Sequence, residues 1–264
     1  MARVQNLTSP ANGLLKEVGR AVARGSLTAD GYCIAETYHL LEEALRSQCE
    51  IKLVLAAESA RSEVERLLKQ RPEVRLFVLP DPLSERLSAT ESSQGVISLV
   101  RPPAWTFDDL FGERSLVVAL DGLQDPGNAG AIVRAAEALG SSGVLFLKGS
   151  VHPYNPKAVR ASAGSVFRVP LLHGLEAGAF REAVRRRALV LYAASASGGV
   201  PAGEADFARG CVIVIGNEGR GLGRDAWPGA QEVHIPTRSV ESLNAAMAAG
   251  ILLYEAQRQR EKRS

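Results

Sequence analysis

Three polar segments of the chain carry side chains that could bind a ligand and act on it. The first contains Asn128 and Arg134, the second Glu218, and the third Ser242 and Asn244. An arginine can bind a phosphate through two parallel hydrogen bonds, and a carboxylate can hold an arginine or a ligand hydroxyl in place. Each segment follows a short apolar run, as a loop at the end of a buried strand does. The three segments are therefore candidates for one binding site.

The second segment, residues 216–223, reads GNEGRGLG and contains four glycines. Glycine allows the backbone to approach a ligand closely. The glycine spacing fits neither the GxGxxG dinucleotide fingerprint nor the GxxxxGK[ST] phosphate loop. This argues against a dinucleotide-dependent oxidoreductase and against a nucleotide-phosphate site.

Each segment also has a purely structural explanation when it is taken alone. The first could be a turn capped by Asn128 with Arg134 facing solvent. For this segment alone, the structural explanation is as good as a functional one. Glu218 could be an exposed turn carboxylate. The alanine-rich stretch after Asn244 could be a helix that packs closely against another backbone or another subunit.

The composition is that of a globular protein with balanced charge. Of 264 residues, 46% are hydrophobic and 23% are charged, with 31 Lys+Arg against 29 Asp+Glu. This composition excludes a disordered, collagen-like or coiled-coil chain. The net charge of +2 does not by itself indicate a nucleic-acid partner, but RNA contact needs only a local basic face. Two groups of residues could form one: Arg3, Lys16, Arg20 and Arg24, and Arg134, Lys157, Arg160 and Arg168.

Cysteine and histidine spacing predicts neither disulfides nor a metal site. Cys33, Cys49 and Cys211 form no CxxC pair, and the four histidines show no metal-ligand spacing. No apolar run approaches the roughly 20 residues of a membrane-spanning helix. The first residues lack the apolar core of a signal peptide. We therefore expect a cytoplasmic protein that binds neither metal nor membrane.

The order of apolar runs predicts two α/β domains. Because Pro102 and Pro103 interrupt the chain, we place a first domain at residues 1–101 and a second at residues 112–264. The first is predicted to be a small α/β sandwich that opens with a basic arm. In the second, apolar strands alternate with helices, which predicts a mostly parallel sheet covered on both faces. The predicted strands are 116–120, 144–147, 189–193, 212–215 and 232–235, and the helices 129–139, 156–162, 178–187 and 243–259.

Taken in order, the three polar segments closely resemble the three motifs of the SpoU/TrmH family of RNA ribose 2′-O-methyltransferases, in the SPOUT superfamily. The first motif is Asn128-x-Gly130-xxx-Arg134, the second is GNEGxGL starting at residue 216, and the third is IP at 235–236 followed by ESLN at 241–244. The resemblance spans about residues 116–254. Residues 30–100 resemble the small RNA substrate-binding domain that precedes the catalytic domain in many members.

The resemblance implies a deep trefoil knot in the second domain, with S-adenosylmethionine bound inside it. It also implies a homodimer whose sites form near the subunit interface. By position, Gly216, Ile235 and Leu243 are expected to contact the cofactor. The small first domain favours ribosomal RNA as substrate. A transfer-RNA methyltransferase and a non-catalytic RNA-binding protein with a degenerate knot are the alternatives.

The resemblance also assigns catalytic positions. Arg134 is the expected catalytic arginine, and Asn128 and Glu218 are expected to orient it and the substrate. Ser242 and Asn244 are expected to shape the floor of the site. Because the pKa of an arginine exceeds about 12, we expect Arg134 to stabilise the developing alkoxide and to hold the adjacent phosphate.

Three stretches depart from the family pattern. Ala245-Ala246 stands where Val-Ser is common. The third motif is one residue shorter than usual, with Thr237-Arg238-Ser239 where many members have Met, any residue and Gly. In the first domain, Thr37 follows Glu36 where a glycine is frequent.

Overall fold

The structure of the protein, a computed structural model, describes residues 4–88, 93–112, 114–223 and 226–263. The chain divides into two compact units. The first unit comprises Met1–Ala104 together with Tyr154–Arg168, and the second comprises Trp105–Pro153 together with Val169–Ser264.

The elements alternate along the chain as the sequence predicts for an α/β protein. The strands are β1 (Val4–Asn6), β2 (Cys33–Glu36), β3 (Ile51–Ala57), β4 (Arg75–Leu79), β5 (Val96–Val100), β6 (Leu116–Leu120), β7 (Gly143–Leu147), β8 (Leu171–Leu175), β9 (Val190–Ser195), β10 (Val200–Pro201), β11 (Cys211–Ile215) and β12 (Gln231–His234). The α-helices are α1 (Gly13–Arg24), α2 (Tyr38–Arg46), α3 (Arg61–Leu67), α4 (Asp81–Leu87), α5 (Phe107–Leu110), α6 (Pro126–Ala138), α7 (Pro156–Ala161), α8 (Ala177–Arg186) and α9 (Ala245–Glu261).

The first unit is built around a five-stranded mixed sheet in the order β1-β4-β3-β5-β2. Strands β1, β4 and β3 are parallel, and β5 runs antiparallel to both β3 and β2. Helix α1 covers one face, because its buried Leu15, Val18 and Ala21 join a core cluster with Leu53 and Ile97 of the sheet.

Helix α1 occupies the stretch in which the sequence analysis recognised only a basic arm. Asn12 caps the helix by accepting a hydrogen bond from the backbone N–H of Leu14 at 2.9 Å. Gly25 ends it in the left-handed conformation with φ 60°. Its buried residues recur every third position, which is the amphipathic spacing that the sequence analysis missed. Arg3, also assigned to the arm, lies outside the described residues.

Residues 154–168 belong to the first unit, whereas the sequence analysis assigned them to the second domain. Two buried carboxylates of the first unit find their cationic partners in this segment. Arg160 Nη1 lies 3.7 Å from Glu36 Oε2, and Arg168 Nη1 lies 2.5 Å from Glu43 Oε2. A buried carboxylate is costly unless it is paired. Arg160 and Arg168 therefore have structural roles, which removes two members of the second predicted basic face.

Thr37 adopts a backbone conformation, φ 115° and ψ 154°, that is almost restricted to glycine. Such an outlier costs roughly 1–3 kcal/mol in a non-glycine residue. Its hydroxyl accepts a hydrogen bond from Leu40 N at 3.2 Å and so caps α2, which offsets part of that cost. The glycine that is frequent at this position in the family fits the same backbone without strain.

The second unit contains a seven-stranded sheet in the order β10-β12-β9-β11-β6-β7-β8, and every pairing is parallel. The five strands predicted for this domain are present within two residues at each end, and the predicted helices within three. The sequence analysis missed β8, β10 and α5, which are short or weakly apolar. The parallel sheet aligns the carboxyl ends of its strands at one edge, where the three polar segments begin.

Arg260 fastens the end of α9 to the start of the central strands. Its guanidinium donates hydrogen bonds to the backbone carbonyls of Phe207 at 2.9 Å, Arg209 at 2.8 Å and Ser115 at 3.1 Å, and also to that of Arg114. Ser115 directly precedes β6, and Arg209 lies just before β11. One side chain therefore satisfies backbone acceptors from two separate parts of the chain.

We expect Arg260→Ala to lower the free energy of unfolding of the second unit by about 2–4 kcal/mol, because several carbonyls lose their donor. Urea unfolding followed by tryptophan fluorescence measures this, since Trp105 and Trp227 both lie in the second unit. The control is Arg258→Ala on the same helix, which breaks only an ion pair with Glu255 and should cost less than about 1 kcal/mol. Equal losses in the two variants would contradict the role of Arg260.

Candidate functional site

The carboxyl ends of β9, β11 and β12 open onto one cavity of about 250 Å³. These three strands are neighbours in the sheet, and β11 also borders β6, where the strand order reverses direction. This is the place where parallel sheets bind their ligands. The cavity is lined by residues 194–196 and 215–221 and by Val233, Ile235, Thr237, Ser242, Leu243, Ala245, Ala248 and Leu252.

Gly216 stands where the backbone of the glycine segment folds back on itself. A Cβ atom at this position would lie 2.5 Å from the carbonyl carbon of Gly221 and 2.6 Å from the backbone nitrogen of Leu222. Real Cβ atoms do not approach so closely. Only glycine allows this wall of the cavity to close as it does.

Asn217 organises the glycine segment, a role that the sequence analysis did not predict. Its Oδ1 accepts hydrogen bonds from the backbone N–H groups of Gly219 at 3.0 Å and Arg220 at 3.1 Å. Its Nδ2 donates to the carbonyl of Gly122 at 2.9 Å, which ties the second polar segment to the first. An asparagine inside a turn often bonds to the backbone two residues on, so residue type gave the available signal.

The Glu218 carboxylate also holds the first segment. It accepts hydrogen bonds from the backbone N–H groups of Asp125 at 3.0 Å and Gln124 at 3.3 Å, and from Asn128 Nδ2 at 3.3 Å. Partial burial raises the pKa of Glu218, but its own backbone N–H and these three donors together outweigh burial and hold the pKa below its usual value. The side chain is therefore ionised at neutral pH and acts as an acceptor.

Asn128 and Asn244 extend this chain of hydrogen bonds to the third segment. Asn244 Nδ2 donates to Asn128 Oδ1 at 3.0 Å, while Asn244 Oδ1 caps α9 by accepting from Ala246 N at 2.9 Å. The prediction that Asn128 caps α6 is wrong. Asp125 is the cap, accepting from Asn128 N at 2.6 Å, and this leaves the Asn128 side chain free to link the two other segments.

The structure brings seven of the eight predicted site residues together. Five line the cavity, and two complete the hydrogen-bond chain beside it. The lining residues are Gly216, Glu218, Ser242, Leu243 and Ile235, and the linked residues are Asn128 and Asn244.

Arg134 is the exception. It lies exposed on α6, about 9 Å along the helix axis from Asn128, and it does not line the cavity. Helix α6 packs against α9, the helix that follows the third segment.

A membrane-spanning helix and a cluster of metal ligands are both absent from the part of the chain that the structure describes. It contains no helix that is both long and apolar enough to cross a membrane. It also contains no group of three or more His, Cys, Asp or Glu side chains placed to hold a metal ion.

The chain is similar to a known protein family and to known enzymes. The model of the SpoU rRNA Methylase family matches residues 115–254. The 23S rRNA (uridine(2479)-2′-O)-methyltransferase of Streptomyces viridochromogenes is 36% identical over 70% of this chain and 68% of its own length. The 23S rRNA (guanosine(2553)-2′-O)-methyltransferase RlmP of Bacillus subtilis is 25% identical over 95% of this chain and 98% of its own length.

The fold also matches solved structures over nearly its whole length. The crystal structure of the SpoU methyltransferase AviRb from Streptomyces viridochromogenes in complex with the cofactor AdoMet superimposes with a TM-score of 0.84. It is 28% identical in sequence, and the match covers 95% of this chain and 98% of that one.

We expect Glu218→Gln to loosen the first segment, because a neutral amide cannot accept all the hydrogen bonds that the carboxylate accepts. Hydrogen exchange of the Gln124 and Asp125 amides should be faster in this variant at pH 7. Since the pKa of Glu218 is below 4.5 in the folded chain, protection in the wild type is complete above pH 4.5 and is lost as the pH falls through the folded value. The variant should show no such acid step, and its persistence would contradict the role of Glu218.

Proposed function

The chain belongs to the SpoU rRNA methylase family, and from this membership we propose that it transfers a methyl group from S-adenosylmethionine to a ribose 2′-hydroxyl of ribosomal RNA. The proposal rests on one observation: hydrogen bonds join all three polar segments around a single cavity. A protein that only binds RNA does not need this arrangement. Two relatives that modify ribosomal RNA support that substrate over transfer RNA.

The cavity suits S-adenosylmethionine. Ile215, Val233, Ile235, Leu243 and Leu252 offer apolar contact surface, and the backbone around Gly216 leaves no room for a side chain. We propose that Gly216, Ile235 and Leu243 contact the cofactor, largely through their backbones. The trefoil knot expected for the family would bring these segments together by threading one loop through another.

When bound, the cofactor supplies a methyl group that is already activated as a sulfonium, so the chain mainly has to align the acceptor. We propose that Arg134 binds the phosphate next to the target ribose and stabilises the developing alkoxide as the 2′-hydroxyl gives its proton to solvent water and its oxygen takes the methyl group. Glu218 and Asn128 keep the first segment in place, and Ser242 and Asn244 form the floor on which the ribose rests. The ionised state of Glu218 suits an orienting role.

We propose that the active protein is a homodimer formed through α9. Met247, Ile251 and Tyr254 recur at the spacing of one helix face and are exposed by 58%, 38% and 59%, and Val240 precedes them at 58%. A contiguous exposed apolar stripe of this kind is typical of a protein interface. Because Arg134 lies outside the cavity of its own chain, we propose that it serves the cavity of the second copy.

We propose that the first unit, predicted as residues 1–101, holds the RNA through α1. Lys16, Arg20 and Arg24 recur every fourth residue and are exposed, and among the described residues none has an acidic partner within 4 Å. Most other arginines of this unit are ion-paired. The Asn155 amide packs against Gly25, which places exposed Lys157 beside the end of α1. This stripe supports contact with phosphates. An enzyme of ribosomal RNA would act in the cytoplasm, where we place it.

Arg134→Ala should lower kcat by about 100-fold or more, since a group that stabilises charge in the transition state is lost. The measurement is transfer of labelled methyl from S-adenosylmethionine to unmodified 23S rRNA made by transcription. Mixing Arg134→Ala protomers with Ala194→Trp protomers, whose added side chain fills the cavity of its own chain, should restore about a quarter of the wild-type rate, because half of the dimers then contain one intact site. No recovery on mixing would contradict the shared site.

Arg20→Gln with Arg24→Gln should raise KM for the RNA and leave kcat unchanged, because phosphate contacts bind substrate and transition state alike. The slope of log K against log salt should fall by roughly 1.4–1.8. The matched control is Lys69→Gln with Arg75→Gln, which removes the same charge from exposed positions outside α1. Equal effects in the two variants would contradict a specific role for the stripe.

A further inference from the structure

The cavity carries two charged side chains of opposite sign among its lining residues. Glu218 is the anion, and its oxygens are occupied by the hydrogen bonds that tie down the first segment. Arg220 is the cation. It is exposed, and within the described ranges no carboxylate lies within 4 Å of its guanidinium. Arg220 also lines an adjoining cavity of about 450 Å³, so its side chain borders both cavities.

Four backbone N–H groups of the glycine segment are already engaged and are not offered to an anion. Glycine-rich loops often do so by pointing free N–H groups at the ligand. Here the N–H groups of Asn217 and Gly221 donate to each other's carbonyls, and those of Gly219 and Arg220 donate to Asn217 Oδ1. The N–H groups of Asn217, Gly219, Arg220 and Gly221 therefore already have acceptors.

Two hydroxyls of the lining are also engaged. Ser195 donates to the carbonyl of Ser197 at 2.5 Å, and Thr237 donates to the carbonyl of Val240 at 2.8 Å. This leaves the guanidinium of Arg220 as the cationic donor available to a ligand anion in the described lining. An anionic group that enters a confined site is costly unless it is paired with a cation or well hydrogen-bonded.

From this inventory we propose that Arg220 binds the carboxylate of the methionine part of S-adenosylmethionine. The inference rests on the proposed function, because it assumes that the cavity receives this cofactor. Arg220 thereby sets cofactor specificity: the site distinguishes S-adenosylmethionine from its decarboxylated form, which has the same adenosine, sulfonium and amine but lacks the carboxylate.

Isothermal titration of the full-length protein with each of the two compounds tests this proposal directly. The wild type should bind S-adenosylmethionine about tenfold to hundredfold more tightly than the decarboxylated compound, the range of one charge-assisted hydrogen bond or pair. Arg220→Gln should lose this preference by weakening S-adenosylmethionine alone. Arg220→Lys should retain part of the preference, since it keeps the charge without the planar fork.

The matched control is Arg238→Gln, which removes an exposed arginine of the third segment that does not line the cavity. It should leave both affinities unchanged. Unchanged binding of the decarboxylated compound by Arg220→Gln shows that the site is still folded. Equal weakening of both compounds, or an undiminished preference, would overturn the role of Arg220. A wild type that binds neither compound would instead overturn the proposed function.

Discussion

The site depends on one ionised carboxylate that connects segments far apart in the chain. Glu218 accepts hydrogen bonds from residues 90 or more positions earlier, and Asn128 in turn is hydrogen-bonded to Asn244, which caps α9. The parallel sheet brings these segments to one edge but does not fix their relative positions. The hydrogen bonds to Glu218 fix the relative positions of the segments. The same hydrogen bonds hold the pKa of Glu218 below its usual value. Positioning of this kind is what methyl transfer from an activated donor requires.

The central strands of the second unit were predictable because runs such as 116–120 and 212–215 are apolar throughout, short and rich in β-branched residues, which favours a buried parallel strand over a helix. The site residues were predictable as a set because their order along the chain matches three family motifs. Their individual geometry was not. Whether Asn128 caps its helix or links two segments depends on Glu218, 90 residues away. The same limit hid the ion pairs that Glu36 and Glu43 form with residues 154–168.

Although the net charge of the chain is close to zero, its arginines fall into two groups with different contacts. Some hold the fold together: Arg260 donates to backbone carbonyls, Arg168 neutralises a buried carboxylate, and Arg187 lies over the ring of Phe111. Others have no carboxylate partner among the described residues and lie where a ligand could meet them, as Arg20 and Arg220 do. A count of charges cannot separate these groups, because the difference lies in what each guanidinium already contacts.

The central claim is that the three joined segments transfer a methyl group to a ribose hydroxyl. The most direct test is to incubate the purified protein with unmodified 23S rRNA and S-adenosylmethionine labelled in its methyl group, digest the RNA to nucleosides, and analyse them by mass spectrometry. The account predicts that the label is found in one 2′-O-methylnucleoside. Label on a base, or no transfer to RNA by a protein that binds the cofactor, would contradict it.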